Sequence, residues 1–304
     1  MLPESGFGKL SELSSSTLGV FRGGDAVKLG MTRNPLTALL RAGVISRELP
    51  DTYRMTAVSR SNEQRLRAAL LWAGNGAAAA GRSAGEVYGL EGIRAPVPEI
   101  AVRRASRVRH GDVIVRRGLN QQALMLRRRR GIPVTGPEPT LVALATALDA
   151  EAFEIACEDV RRRRLTSIPA PHAYLTRFGR AGHPGVASLR HLLAGLDPKH
   201  PSRSTLEVKT RRLLVAHGLR EFTREFPLVW KGRTYLFDFA FERQRTILET
   251  NGRRWHDDSS DYEHDNEKWS VPGRHGYRIV FATWKKVTQN ADALLHELEA
   301  TLAA

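Results

Sequence analysis

The feature that most constrains this chain is a short run, residues 235–241, in which Tyr235, Phe237, Phe239 and Phe241 alternate with Leu236, Asp238 and Ala240. Alternation with period two is the signature of a β-strand, whose successive side chains point to opposite faces. The run therefore predicts a strand with an aromatic face and a second face that carries one acid. Residues 246–251 read as its partner, with Ile247, Glu249 and Asn251 on a common face, and residues 242–245 supply a hairpin turn between them. In that register Asp238 lies nearly opposite Glu249, so two carboxylates share one sheet surface.

Such a pair is costly. An acid inside an aromatic strand pays for desolvation, and a second acid beside it adds repulsion. A divalent cation answers both. Asp238 and Glu249 offer hard oxygen ligands and the main-chain carbonyl of Thr250 adds another. Mg2+ (or Mn2+) accepts such a set while keeping several waters, one of which becomes a nucleophile. The competing explanation is a buried ion pair with Arg243, Arg245 or Arg253.

The flanking sequence completes an α/β pattern. Ser204 and Glu207 have the spacing of a capping box and open a helix that runs to about His217 and stops at Gly218. Residues 261–269 read as a second helix, in which Asp265 and Lys268 are three apart and face the same way. A strand over 277–283 and an amphipathic helix over 291–302 follow. Helix, strands, helix, strand, helix is the order of a compact α/β core.

The segments STLE (204–207), FDF (237–239) and LETNG (248–252), followed by Trp255 and His256, resemble the Vsr-like endonuclease-fold proteins of the PD-(D/E)XK superfamily over nearly all of 202–302. The resemblance implies DNA hydrolysis with a divalent metal. It assigns Glu207 to the acidic position of the first helix, Asp238 to the central metal-binding aspartate and Glu249 to the acid of the next strand. It also gives His256 the part of a proton carrier or hydrogen-bond donor near the scissile phosphate. Asn251 departs from the pattern, standing where superfamily members often carry Lys and many Vsr-like relatives carry Asp. Lys268 either replaces the missing cation or forms a surface ion pair.

Nearer the start, residues 24–29 read as a short helix, Gly30 and Met31 as a turn, and Thr32 as the N-cap of a helix running to Ala42 and stopped by Gly43. Leu36, Leu39 and Leu40 share one face, whereas Arg33, Asn34, Thr37 and Arg41 occupy the other and are placed to meet DNA. Strands over 44–46 and 52–55, turning at Pro50 and Asp51, have the form of a wing. The stretch from Gly19 to Met55 resembles the N-terminal winged helix of the AbiEi family of antitoxin-like regulators, which implies DNA binding. Residues 57–196 mix helices at 62–71 and 139–149 with strands marked by Ile100, Val102, Val113 and Val115, a layout that resembles the second domain of AbiEi-like proteins. Residues 182–200 are expected to hinge this part to the last domain.

Charge agrees with a polyanionic partner: 47 basic against 32 acidic residues leaves +15, with arginines in blocks at 127–130 and 161–164. Each block is either a phosphate contact or a solvated face. One cysteine, Cys157, excludes a disulfide framework and a thiolate zinc site, and a cytoplasmic setting is expected. The Ala-rich run at 68–80 is broken by Gly and Asn, so no membrane segment is expected.

The sequence thus predicts an α+β multidomain protein: a winged helix-turn-helix over 1–56, a basic mixed α/β connecting domain over 57–196, and a restriction-endonuclease-like α/β domain over 202–304. The expected activity is that of a Mg2+-dependent DNA endonuclease in phage defence, toxin–antitoxin function or DNA repair. The alternative is an AbiEi-type DNA-binding regulator with a weak or inactive nuclease fold, for which Asn251 speaks. Charge reversal at Arg33 and Arg41 is expected to weaken duplex DNA binding and to flatten its dependence on salt, measured by anisotropy over a salt series. Unchanged binding would remove the helix 33–41 from the interface.

Overall fold

The structure, a computed structural model, describes residues 4–31, 33–103, 106–118, 121–167, 169–196, 204–251 and 259–304. The chain is α+β, with three separate sheets in two compact units, Met1–Gly195 and Leu196–Ala304.

The first unit opens with α1 (Glu4–Ser14), β1 (Val20–Arg22), α2 (Gly23–Lys28), α3 (Arg33–Arg41), β2 (Ile45–Leu49) and β3 (Thr52–Met55). The strands form an antiparallel sheet in the order β1-β3-β2. Leu10, Phe21, Ala26, Met31, Leu36, Leu39, Ile45 and Met55 make one core against it. Leu36 and Leu39 point inward from α3, and Asn34, Thr37 and Arg41 stand exposed. Thr32 and the side chain of Arg33 lie outside the described residues. The third strand, β1, has three residues, too few for periodicity to reveal it. The tip of the β2–β3 hairpin folds back on α2: Gly23 N donates to Asp51 O at 3.0 Å and Gly24 N to Asp51 Oδ2 at 3.3 Å. A Cβ at Gly23 would stand 2.5 Å from Asp51 Oδ1, so a larger residue there would have to displace the Asp51 carboxylate that closes this contact.

Next comes α4 (Asn62–Ala73), capped by Ser61, whose hydroxyl accepts from Gln64 N at 3.1 Å. Gln64 Nε2 donates to Leu18 O at 2.8 Å and Arg67 to Ser16 O at 3.1 Å, tying α4 to the winged-helix part. Beyond it run β4 (Ala78–Ala79), α5 (Gly81–Tyr88), β5 (Glu99–Arg103), β6 (Ile114–Gly118), α6 (Gln121–Leu124), β7 (Arg127–Arg129) and β8 (Ile132–Val134). The helices α7 (Pro137–Leu144), α8 (Ala150–Arg162), α9 (Pro169–Phe178) and α10 (Pro184–Gly195) close the unit. The sheet order is β6-β5-β4-β8-β7, and β5 and β6 pair in parallel. Much of the expected hinge is α10 instead. Its Pro and Gly stand at the helix ends, where those residues suit a helix, and Val186, Leu189 and Leu193 are buried.

The two arginine blocks differ. Arg161 pairs with Glu158 at 2.8 Å, and Arg162 and Arg163 both pair with the fully buried Asp159, at 2.5 and 2.9 Å. These arginines neutralise buried acids. Arg127, Arg128 and Arg129 are exposed along the edge strand β7. Cys157 is a core residue whose thiol pKa is pushed up by burial. Among the described residues no helix is long and apolar enough to cross a membrane.

The second unit contains α11 (Thr205–Ala216), β9 (Thr223–Trp230), β10 (Arg233–Phe241), β11 (Thr246–Asn251), α12 (Ser259–Arg274), β12 (Arg278–Thr283), α13 (Trp284–Gln289) and α14 (Ala291–Ala303). Its sheet runs β12-β11-β10-β9, with β11 and β12 parallel and the other pairs antiparallel. Leu206 and Leu214 of α11 and Leu294 and Leu298 of α14 pack with Phe239, Phe241, Leu248 and Val280. Val271 of α12 packs with Leu228, Tyr235, Phe237, Ala240 and Ile247.

The aromatic residues of β10 are therefore split between two cores, rather than sharing one face as the alternation predicts. Tyr235 and Phe237 lie with α12, Phe239 and Phe241 with α11 and α14. The switch falls at Asp238. On the neighbouring strand Phe226 pairs with Phe237 and Arg224 with Phe239, and Glu225 between them has φ +49°. A left-handed residue rotates the strand locally, so both strands exchange faces at the same level.

Candidate active site

The β10–β11 ladder runs from Phe241 opposite Thr246 to Phe239 opposite Leu248. The next pair along it is Asp238 and Glu249, and there side chains take over from main-chain pairing. Asp238 N donates to Glu249 Oε2 at 3.1 Å, and Thr250 N donates to Asp238 Oδ2 at 2.9 Å. The Thr250 hydroxyl donates to the same Asp238 oxygen. Each carboxylate thus accepts an amide from the opposite strand. The sequence expectation of adjacent acids holds in space, while the face switch tips Asp238 toward Thr250.

Glu249 is 5% exposed, and its Oε1 accepts from Lys268 Nζ of α12. The same ammonium lies 5.1 Å from the centre of the Phe237 ring. Burial and, secondarily, the Asp238 charge push the Glu249 carboxyl up to about 7, against the opposing pull of Lys268. The Lys268 side chain is 21% exposed. It belongs to the acid pair and is not a surface ion-pair residue. Nor do the hairpin arginines compensate the acids: Arg243 reaches toward Glu221 at 3.4 Å, and Arg245 forms the turn with φ +47°. Arg253, the side chain of Asp265 and all of His256 lie outside the described residues.

Glu207 is 1% exposed in the first turn of α11. Ser204 Oγ accepts from Glu207 N at 3.1 Å, one half of the capping box. Its carboxylate accepts from Arg224 Nη2 of β9 at 2.8 Å, so the acid faces the sheet. Burial, with Arg224 and Arg212 nearby, lowers the pKa of Arg211. Arg224 escaped the sequence reading because β9, holding Pro227 and a left-handed residue, shows no clean alternation. Asn251 ends β11 beside Thr283 of β12.

A divalent cation fits this donor set in part. Two adjacent carboxylates match the preference of Mg2+ for one or two acidic side chains completed by water and phosphate oxygens. Among the described residues, no hydrogen bond falls on Asp238 Oδ1, whereas Glu249 Oε1 is held by Lys268. Among the described residues no group of three or more His, Cys, Asp or Glu is arranged to hold a metal. Glu207 therefore does not complete a three-acid cluster.

No protein-family model matches the chain, and no curated protein matches it. Among solved structures it is similar to the RV2827C protein from Mycobacterium tuberculosis, at 22% identity and a TM-score of 0.48, over 68% of this chain and 81% of that one. It is also similar to the catalytic domain of the homing endonuclease I-Bth0305I, at 17% identity and a TM-score of 0.27, over 33% of this chain and 95% of that one. Likenesses of this degree carry no argument about activity.

The raised Glu249 pKa has a signed consequence. Between its ordinary value of 4.5 and about 7 the folded chain holds a proton that the unfolded chain releases, so the contribution of Glu249 to stability falls as pH rises through this window. In chelator, the melting temperature of Glu249→Gln relative to the native chain is expected to rise from pH 5 to pH 8. A difference independent of pH would show that the carboxyl is not perturbed.

Proposed function

We propose that the second unit hydrolyses DNA phosphodiester bonds with Mg2+ or Mn2+, and that the winged-helix part of the first unit binds duplex DNA. The observation that carries this reading is the Asp238–Glu249 pair, half-buried at Asp238 and buried at Glu249, placed where the ladder opens and faced by the Lys268 ammonium. Asp238, Glu249 and the Thr250 carbonyl are the groups that would hold the cation. When bound, it supplies Lewis acidity toward a phosphate oxygen and a water of lowered pKa.

The chain's own residues supply the rest. Thr250 orients Asp238 through its amide and hydroxyl, which fixes one carboxylate oxygen, while among the described residues no hydrogen bond falls on the other. Lys268 brings a cation to the acids from α12, in place of the one that the motif supplies at the position of Asn251. An ammonium so placed offsets charge growing on a phosphate. His256 is proposed as a proton carrier and Glu207 as an acid acting from α11, steadied by Arg224. On the DNA-binding side, Asn34, Thr37 and Arg41 are exposed on α3 and, with Arg33, are the proposed contacts. The proposed setting is cytoplasmic, in phage defence, toxin–antitoxin function or DNA repair.

A second reading is a DNA-binding regulator of the AbiEi type whose nuclease fold only holds DNA. Asn251 and the absence of a three-acid cluster among the described residues favour it. Cleavage separates the two. Asp238→Asn and Glu249→Gln are each expected to abolish metal-dependent nicking of supercoiled DNA while DNA affinity in chelator is retained, because the basic contacts remain. Cleavage at native rate by both variants would sink the catalytic assignment, and a native chain inactive with either metal would favour the regulator.

A further inference from the structure

Among the described residues of the second unit the exposed large apolar side chains are Val229 and Trp284, and Trp284, at 51% exposure, is the aromatic one. It is the first residue of α13, directly after Thr283, the end of β12. Because β11 and β12 are parallel, Glu249 pairs with Phe281 and Asn251 with Thr283, so Trp284 stands at the same end of the sheet as the acid pair. Lys209, two residues past Glu207 on α11, places its ammonium 6.0 Å from the centre of the Trp284 ring, and Lys285 beside it is exposed.

A tryptophan left half in water needs a reason where the other described aromatic side chains of the unit are buried or half-buried. Core packing does not supply one, since Val287 is the residue of α13 that enters the core. A planar ring with one ammonium near it and an exposed lysine next in sequence matches a nucleotide: the base stacks on the ring while the cations meet its phosphates. A stacked base must have an open face, which paired bases inside a duplex do not offer. We propose that Trp284, with Lys209 and Lys285, stacks an unpaired nucleotide of a DNA strand beside the Asp238–Glu249 site, so that this site takes single-stranded or frayed DNA. The inference rests on the nuclease reading in placing this strand at a cleavage site, though the contact itself does not need cleavage. It divides the work between the units: α3 reads duplex, and the Trp284 surface takes a strand that has left it.

The test uses the full chain in chelator, with anisotropy of a labelled single-stranded oligonucleotide and of a blunt duplex of equal length. Trp284→Ala is expected to weaken single-strand binding roughly tenfold, the scale of one base–aromatic stack, and Trp284→Phe to retain most of it. Duplex affinity and the melting temperature should stay unchanged. A probe with 2-aminopurine should be quenched by the native chain and not by Trp284→Ala. Native single-strand affinity in a folded Trp284→Ala, or equal losses on both DNA forms, would overturn the proposal. Selective loss together with no metal-dependent cleavage by the native chain would leave the stacking surface standing and remove the nuclease reading.

Discussion

The organisation of the second unit depends on one local event, the exchange of main-chain pairing for carboxylate pairing at Asp238 and Glu249. Where β10 switches faces its ladder with β11 loses main-chain hydrogen bonds, and unpaired amides in a partly buried sheet are costly. Here the amides of Asp238 and Thr250 are satisfied by the acid of the opposite strand, and the acids gain charge compensation from Lys268. At the same level Tyr235 and Phe237 join the α12 core while Phe239 and Phe241 join that of α11 and α14. A chemically loaded pair is thus built into the hinge between two hydrophobic layers, so its position is set by packing on both sides.

Much of this was legible. The alternation of residues 235–241 located a strand, the turn at 242–245 fixed the register, and register alone brought Asp238 to Glu249. The two-core arrangement was not legible, because it depends on the positive φ of Glu225, a residue with no propensity signal for it, in a strand interrupted by Pro227. Long-range ion pairs escaped for a related reason. Arg224 reaches Glu207 across a strand order that periodicity does not supply, and Lys268 reaches Glu249 from α12, a helix whose packing on the sheet periodicity does not supply either. In the first unit the α3 pattern placed its buried leucines correctly, whereas Pro184 and Gly195 were read as a hinge and are the ends of a helix.

Lys268 bears on whether a motif broken at Asn251 still supports chemistry. Charge stabilisation requires a cation at the right place, not at a given sequence position, and α12 delivers one to the acid that a metal would also claim. Under the proposed reading the same contact sets a competition: a divalent cation would have to share or displace the lysine on Glu249 and compete with a carboxyl pushed up to about 7.

Equilibrium Mn2+ binding to the full chain at pH 7.5, followed by electron paramagnetic resonance, tests the central claim most directly. The account predicts a saturable site that Asp238→Asn weakens by at least about tenfold, since a formal charge and a hard ligand are lost together. No saturable binding by the native chain, or equal affinity in Asp238→Asn, would contradict it.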